Sequence, residues 1–158
     1  MNKAEILLND LKESGLTLGS AESFTAGLFA SLFCSVPGAS AAFKGAVVCY
    51  DRSVKETLLN VNPALIDAFD VVSEPVAAAL AENAADVLDC DIAVSFTGNA
   101  GPTAEPGKAA VGETYMGIYF RNEFLRTYHV VFQGERNEIR LQAVDYIFEK
   151  LHEILKKR

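Results

Sequence analysis

Ser20-Ala21-Glu22-Ser23-Phe24-Thr25-Ala26-Gly27 joins two apolar segments, and this junction decides the fold class. The residues before it, Leu16 to Gly19, favour a short buried strand, and those after it, Leu28 to Phe33, have the apolar density of a packed helix. A strand that leads into a helix places Ser23 at the helix N-terminus, where unpaired N–H groups stabilise an oxyanion or a phosphate. Ser23 is therefore a candidate nucleophile. The alternative is that Ser23 or Ser20 only caps the helix.

Helices and strands alternate along the rest of the chain. We predict an opening helix from Ala4 to near Gly15 and further helices at Arg52 to Leu59, from Pro63, at Ser73 to Leu88 and at Glu135 to Lys157. We predict strands at Ala42 to Tyr50, Asp91 to Thr97, Gly112 to Phe120 and Arg126 to Phe132. The last two strands indicate an antiparallel hairpin. This order predicts an α/β fold with a mixed, mostly parallel sheet of five strands and helices on both faces. A length of 158 residues favours one domain, spanning 1–158.

Composition narrows the function classes. A net charge of −7 argues against nucleic-acid binding over a broad surface, which needs a basic face, although a local anion site stays open. The segment from Ser23 to Phe43 has no charged residue, but Pro37-Gly38 interrupts it, so we expect a buried helix and no membrane span. The same uncharged segment favours a homo-oligomer. The N-terminus has no apolar core of a secretory signal, so we expect a cytoplasmic protein.

The cysteines and histidines indicate no metal site. Cys34, Cys49 and Cys90 are odd in number, far apart and flanked by apolar residues, so we expect three buried free thiols in a reducing compartment. His129 and His152 are isolated from each other and from the cysteines, which leaves no zinc signature.

Three polar segments follow three of the predicted strands. They are Glu22-Ser23, Tyr50 to Lys55, and Thr97-Gly98-Asn99-Ala100-Gly101-Pro102. Ligands of α/β sheets bind at the carboxyl ends of the strands, so we expect these segments to form one site.

Ordered sequence blocks within and around these segments resemble a known family. The blocks are Ala-Glu-Ser-x-Thr-x-Gly, Val-Pro-Gly-Ala-Ser with Phe-x-Gly-x-Val-Val-x-Tyr and a downstream Lys, Val-Ser-Glu, Thr-Gly-x-Ala-Gly-Pro, and Gly-Glu-Arg-x-x-Ile-Arg. In this order, from about Leu16 to Arg140, they are similar to the CinA C-terminal domain family. The resemblance implies a three-layer α/β/α sandwich, deamidation of nicotinamide mononucleotide, and no cofactor.

The resemblance also implies the roles of individual residues. Ser23 corresponds to the nucleophile and Lys55 to the general base, with Tyr50 and Thr97 as further catalytic residues. A serine needs a neighbouring base to attack an amide, and lysine serves as that base only when its pKa is lowered towards neutrality. The hydroxyl of Tyr50 would pass the proton or hold the amine. N–H groups after Ser23, with Thr97, would form an oxyanion hole.

We expect a second set of residues to contact the substrate. They are Glu22, Thr25, Gly98, Asn99, Gly101 and Arg136. Arginine suits bidentate contacts with a phosphate, so Arg136 is the candidate anion ligand. Glu22 either orients the substrate or Lys55, or it is a first-turn acid favoured by the positive end of a helix. For Arg140, one helical turn after Arg136, we expect a surface ion pair with Glu135 or Glu138.

Each of these residues also has a structural interpretation. Lys55 belongs by default to a solvated helix face, Tyr50 to strand packing, and the glycines to a tight turn. The chain also departs from the family pattern, because Phe24 replaces a cysteine, Ala26 replaces a glycine, and residues 103–113 differ from the usual glycine-rich loop. The alternative function is therefore a catalytically silent nucleotide-binding or interaction module of the same fold.

Overall fold

The computed structural model, which describes residues 1–158, contains five strands and six α-helices. The strands are β1 (Leu18–Glu22), β2 (Phe43–Val48), β3 (Ile92–Gly98), β4 (Glu113–Phe120) and β5 (Phe124–Val131). The helices are α1 (Lys3–Ser14), α2 (Leu28–Cys34), α3 (Arg52–Leu58), α4 (Pro63–Phe69), α5 (Glu74–Leu88) and α6 (Arg136–Lys156). A short 3₁₀-helix, Ala39–Ala41, precedes β2.

The strands form one mixed sheet in the order β2-β1-β3-β4-β5. β1 pairs in parallel with both β2 and β3, and β4 is antiparallel to β3 and to β5. Four strands therefore run in one direction and only β4 runs against them. Glu22 lies opposite Val48 on one side and Phe96 on the other, so β1, β2 and β3 end at the same edge of the sheet.

Helices cover both faces of the sheet, which confirms the predicted three-layer fold. Helices α1, α2 and α6 enclose the larger core, and α5 with α4 encloses the smaller one. β3 is buried on both faces, because Val94 and Phe96 belong to the larger core while Ala93 belongs to the smaller. This double burial accounts for the continuous apolar sequence of β3.

Helix α5 lies unusually close to the sheet at Gly117. A Cβ atom at this position would lie 2.7 Å from Ser95 Oγ and 2.9 Å from the Ala77 carbonyl oxygen. Ser95 Oγ donates a hydrogen bond of 2.6 Å to the same Ala77 carbonyl. This close contact fixes α5, and with it the loop before α5 that forms one wall of the site described below.

The prediction that Ser23 begins a helix is wrong. β1 continues to Glu22, residues 23–27 form a turn, and α2 begins only at Leu28, with Gly27 at the N-cap position. Ala26 and Gly27 have φ values of 48° and 94°. Two successive residues in the left-handed region cannot belong to a right-handed helix, so the helix begins after them.

The cysteine prediction is correct for two residues and wrong for one. All three thiols are free, and Cys49 and Cys90 are buried, which raises the pKa of each to about 11. Cys34 is exposed because it lies at the end of α2, where that helix leaves the core.

The uncharged segment 23–43 packs largely within the chain. Phe24, Phe29 and Phe33 belong to the larger core. None of the six helices combines the length and the apolar character that crossing a bilayer requires.

Candidate active site

The loops after β1, β2 and β3 converge on one cleft at the carboxyl edge of the sheet. The cleft has a volume of about 320 Å³, within the range of small-molecule sites. Its lining comprises Ser23, Phe24, Tyr50, Asp51, Arg52, Lys55, Val71, Val72, Thr97, Gly98, Asn99, Ala100 and Arg136. The topology therefore brings together the three polar segments that the sequence separates by up to 80 positions.

Ser23 and Lys55 are in direct contact. The Lys55 Nζ atom lies 2.9 Å from Ser23 Oγ, 2.6 Å from the Cys49 carbonyl oxygen and 3.2 Å from the Tyr50 carbonyl oxygen. A neutral amine has two N–H groups and one lone pair. When the two carbonyls accept both N–H groups, the lone pair is left to accept the hydroxyl proton of Ser23.

The surroundings of Lys55 favour the neutral amine. Its side chain is only 1% exposed, and this burial lowers the pKa of Lys55, while negative charge at Cys49 and Asp51 opposes the shift. The pKa of the Cys49 thiol is about 11, so this thiol is uncharged near neutral pH and its opposition is absent there. All three groups that Nζ contacts are themselves neutral. Lys55 therefore has the environment of a general base rather than of a surface lysine.

The turn that carries Ser23 has unpaired N–H groups. Ser23 N–H donates to the Phe96 carbonyl at 3.0 Å, and Ala26 N–H donates to the Ser23 carbonyl at 3.1 Å. Between them, the N–H groups of Phe24 and Thr25 donate to no group of the chain. Thr25 is fully buried, whereas Phe24 lines the cleft, so the free Phe24 N–H next to Ser23 is the candidate donor to an oxyanion.

Glu22 binds the helix that follows the turn and does not line the cleft. Its carboxylate is fully buried and accepts hydrogen bonds from Phe29 N–H at 2.8 Å, Ala30 N–H at 3.1 Å and Ser20 Oγ at 3.0 Å. Glu22 thus acts as an acid at the positive end of a helix, as one of the two predicted roles has it, but it belongs to β1 and reaches α2 across the turn. The other predicted role, contact with the substrate, does not fit a carboxylate that is buried away from the cleft.

Tyr50 and Arg136 form a polar contact across the mouth of the cleft. Arg136 Nη2 donates to the Tyr50 hydroxyl at 3.1 Å, and Nη1 donates to the Gly101 carbonyl at 2.6 Å. The Tyr50 side chain is 58% exposed, and its hydroxyl has no contact with Ser23 or Lys55. Tyr50 thus contacts Lys55 through its main-chain carbonyl alone, and the predicted proton relay through its hydroxyl has no geometric support.

The residues after β3 shape the opposite wall. The Thr97 hydroxyl donates to the Val71 carbonyl at 2.7 Å, so its proton is not available to an oxyanion. Asn99 ties its own loop together, because its amide donates to the Thr103 and Ala109 carbonyls and accepts from Gly101 N–H. Gly98 and Asn99 line the cleft, whereas Gly101 reaches it only through its contact with Arg136.

The predicted surface ion pair of Arg140 is wrong. Its guanidinium instead donates to the Phe24 carbonyl at 2.9 Å and to the Thr25 carbonyl at 2.8 Å. The Thr25 hydroxyl, predicted to bind substrate, is buried, has no hydrogen-bond partner and does not face the cleft.

Sequence reasoning placed Asp51 and Arg52 in a segment of the site without giving them a role, and it missed Val71 and Val72. Asp51 caps α3 by accepting from Ser53 N–H at 3.0 Å, and Arg52 pairs with Glu56 and Asp67. An acid immediately before a helix is a cap signal that would have located Asp51. Val71 and Val72 have no such signal, because only the packing of α5 brings them to the cleft.

No group of three or more histidine, cysteine or acidic side chains is close enough together to hold a metal ion. His129 instead pairs with Glu113 at 2.8 Å, and His152 pairs with Asp10 at 2.6 Å.

The sheet order and the contact between buried Ser23 and Lys55 at its carboxyl edge define the class, an α/β protein with a polar cleft at the ends of its parallel strands. A family model described as the CinA C-terminal domain matches residues 1–155. The chain therefore belongs to the CinA C-terminal domain family.

A competence-damage inducible protein of Geobacillus kaustophilus is 42% identical over 139 residues, which cover 88% of this chain and 33% of that protein. Another from Limosilactobacillus reuteri is 38% identical over 156 residues, which cover 98% of this chain and 37% of that protein.

Solved structures of the same family have the same fold. A CinA superfamily protein from Klebsiella pneumoniae matches with a TM-score of 0.94 at 25% identity and covers 100% of both chains. The competence/damage inducible protein CihA from Agrobacterium tumefaciens matches with a TM-score of 0.92 at 29% identity, covering 98% of this chain and 93% of that one. The chain spans about a third of the length of the curated relatives that it matches.

Proposed function

We propose that this protein is an amidohydrolase that converts nicotinamide mononucleotide to nicotinate mononucleotide and ammonia, with Ser23 as nucleophile and Lys55 as general base. The observation that carries the proposal is the 2.9 Å contact between Ser23 Oγ and a buried Lys55 amine whose other partners are two carbonyls. A serine hydroxyl becomes an effective nucleophile only when a base removes its proton, and this contact supplies that base.

Acylation follows from this contact. Ser23 Oγ transfers its proton to Lys55 Nζ and forms a bond to the carboxamide carbon, while the carbonyl electron pair moves to the oxygen. The resulting oxyanion accepts a hydrogen bond from the N–H group of Phe24, which lines the cleft. When the intermediate collapses, the C–N bond breaks and Lys55 returns its proton to the leaving nitrogen, so ammonia departs and an ester to Ser23 remains.

Deacylation uses the same groups in reverse. Water transfers a proton to Lys55 and attacks the ester carbon, a second oxyanion forms, and collapse breaks the bond to Ser23 Oγ as the proton returns to it. The products are the carboxylic acid and the restored hydroxyl. Lys55 is thus neutral at the start of each half-reaction, which is why a lowered pKa suits it.

Arg136 supports a phosphorylated substrate. Its guanidinium is at the cleft and contacts only neutral groups, the Gly101 carbonyl and the Tyr50 hydroxyl. Arg52, the other arginine of the lining, is already paired with two carboxylates. Arg136 is therefore the cation whose charge is available to a phosphate.

A second function, a silent nucleotide-binding module, is favoured by the turn itself. Ala26 has a φ of 48°, a conformation that suits the glycine of the family pattern better than an alanine. Phe24 is 5% exposed and belongs to the larger core, so its ring narrows the space beside Ser23. A module of this kind would keep the fold and the contact between Arg136 and a phosphate, but it would not hydrolyse the bound nucleotide.

One experiment separates the two functions. The melting temperature and the release of ammonia are both measured with nicotinamide mononucleotide at millimolar concentration. Ligand binding raises the melting temperature of either protein, whereas only the enzyme releases ammonia. We expect both signals. Stabilisation without ammonia release would identify the silent module. The absence of both stabilisation and ammonia release would show that nicotinamide mononucleotide is not a ligand of this protein.

A further inference from the structure

The peptide between Phe24 and Thr25 is held by one side chain. Its carbonyl accepts a hydrogen bond of 2.9 Å from Arg140 Nε and receives no other donor of the chain. Its N–H group, that of Thr25, donates to nothing. The N–H groups of Phe24 and Gly27 are also free, and that of Phe24 belongs to a peptide whose carbonyl is already fixed by Ala26 N–H.

The contact with Arg140 sets the direction of the Thr25 N–H. A peptide bond is planar and trans, so its carbonyl and its N–H point in opposite directions. Because the Phe24 carbonyl faces the guanidinium on α6, the Thr25 N–H points away from α6. Nη2 of Arg140 donates to the next carbonyl, that of Thr25, at 2.8 Å, and this carbonyl also accepts from Leu28 N–H at 3.0 Å. One rigid planar group therefore contacts two successive peptides.

Arg140 is suited to orienting these peptides and not to binding a ligand. It is half-buried, does not line the cleft, and its remaining nitrogen donates to Asn137 Oδ1 at 3.0 Å. Arg140 thus fixes the turn that follows Ser23 from the side of α6.

We propose that Arg140 is a positioning residue for the turn that carries Ser23, which acts by holding the Phe24 and Thr25 carbonyls and so fixes the Ser23 hydroxyl and the Phe24 N–H at the cleft. This inference rests on the proposed Ser/Lys mechanism. It predicts that loss of Arg140 slows bond formation at Ser23 and leaves substrate affinity nearly unchanged, since no substrate atom touches the guanidinium.

The test compares Arg140→Met and Arg140→Lys with Arg121→Met. Arg121 is the matched control, because its guanidinium also donates to a main-chain carbonyl. That carbonyl belongs to Ala85 of α5, at 2.7 Å, and is not part of the turn that carries Ser23. Two rates are measured for each protein, ammonia release from nicotinamide mononucleotide and phosphonylation of Ser23 by a fluorophosphonate. In the second reaction the Oγ–P bond forms, the P–F bond breaks, fluoride leaves and Lys55 takes the serine proton.

We expect Arg140→Met to lower kcat and the phosphonylation rate by about tenfold to hundredfold, with KM changed less than twofold. The rates of Arg140→Lys, whose single point charge replaces a group that contacts two carbonyls, should lie between those of Arg140→Met and wild type. Arg121→Met should keep wild-type rates.

The inference would be overturned if Arg140→Met kept wild-type rates, or if its loss of rate were explained by the fraction of the variant that is unfolded at the assay temperature. If wild type reacts with the fluorophosphonate but releases no ammonia, the proposed substrate fails and the phosphonylation rates still decide the role of Arg140. If wild type does neither, both proposals fail.

Discussion

Lys55 differs from most lysines in being almost fully buried without an ionic partner. A buried ammonium costs free energy, so the fold favours the neutral amine at this position. The sequence around it, Asp51 to Glu56, has the polar character of a solvated helix face, which is the ordinary position of a lysine. The structure corrects that interpretation, because α3 turns Lys55 inward against the Cys49 carbonyl.

The pH dependence of activity follows from this environment. The base must be neutral, and burial lowers the pKa of Lys55 below its ordinary value of 10.5, so activity should rise with pH through an apparent pKa below 10.5. Lys55→Arg should retain less than about a hundredth of the activity, because guanidinium stays protonated. A pH–rate profile of both proteins checks this. Equal turnover and equal pH dependence would remove Lys55 from the proton transfer.

Arg136 should act on the phosphate alone. We expect Arg136→Gln to raise KM for nicotinamide mononucleotide by about tenfold or more, since a charge-assisted contact with a phosphate is lost. The corresponding nucleoside lacks the phosphate, so its kcat/KM should change little. Steady-state kinetics with both substrates decide this, and equal losses on both would assign Arg136 to the structure of the cleft through Gly101 and Tyr50.

At the scale of elements, the turn between β1 and α2 is braced from within by Glu22. Glu22→Gln replaces one acceptor oxygen by an amide that faces an N–H donor, so we expect the free energy of unfolding to fall by about 1–3 kcal/mol. The melting temperature should then fall by about 2–4 °C for each kcal/mol. Ser20→Ala removes only the hydrogen bond between the serine hydroxyl and Glu22, so it should lower the free energy of unfolding by less than Glu22→Gln does. An unchanged melting temperature for Glu22→Gln would show that the carboxylate does not hold α2.

Ala26 is the strained position of the same turn. Its φ of 48° costs an alanine about 1–2 kcal/mol, part of which a glycine recovers. Ala26 is exposed, so no packing is lost, and Ala26→Gly should raise the melting temperature by about 2–4 °C. Ala68→Gly, an exposed position inside α4, is the matched control and should lower it. A lower melting temperature for Ala26→Gly would contradict the strain.

The elements differ in how far the sequence determines them. Apolar periodicity located every strand and helix to within about four residues except the start of α2. That error has a local cause, because the left-handed conformation of Ala26 leaves no trace in a sequence where alanine usually favours helix. Arg140 was misassigned for a different reason. Its partners, the Phe24 and Thr25 carbonyls, are more than 110 residues away, whereas the helix pattern shows only its neighbours.

At the scale of the whole molecule, the order of strands and helices was enough to predict the fold. Parallel pairing of β1 with β2 and β3 then necessarily gathers their carboxyl ends, so the location of the site was predictable as well. The details of the site were not. Only the packed structure shows that the Tyr50 hydroxyl lies outside the Ser23–Lys55 contact and that the Thr97 proton is already donated.

The homo-oligomer stays a prediction, and its basis is weaker than the sequence implied. It rested on the uncharged segment 23–43, in which Phe24, Phe29 and Phe33 are buried in the protomer's own core and so are not available to a second copy. The mass of the particle in solution, measured by light scattering, decides it.

The central claim is that Ser23 attacks an amide with Lys55 as its base, and Ser23→Ala tests it most directly. The substitution removes one hydroxyl that contacts Lys55 and caps no helix, so folding and nucleotide binding should be preserved. With nicotinamide mononucleotide as substrate, we expect wild type to release ammonia and Ser23→Ala to release none above background, while both proteins bind the nucleotide with equal affinity. Ammonia release by Ser23→Ala at the wild-type rate would contradict the account.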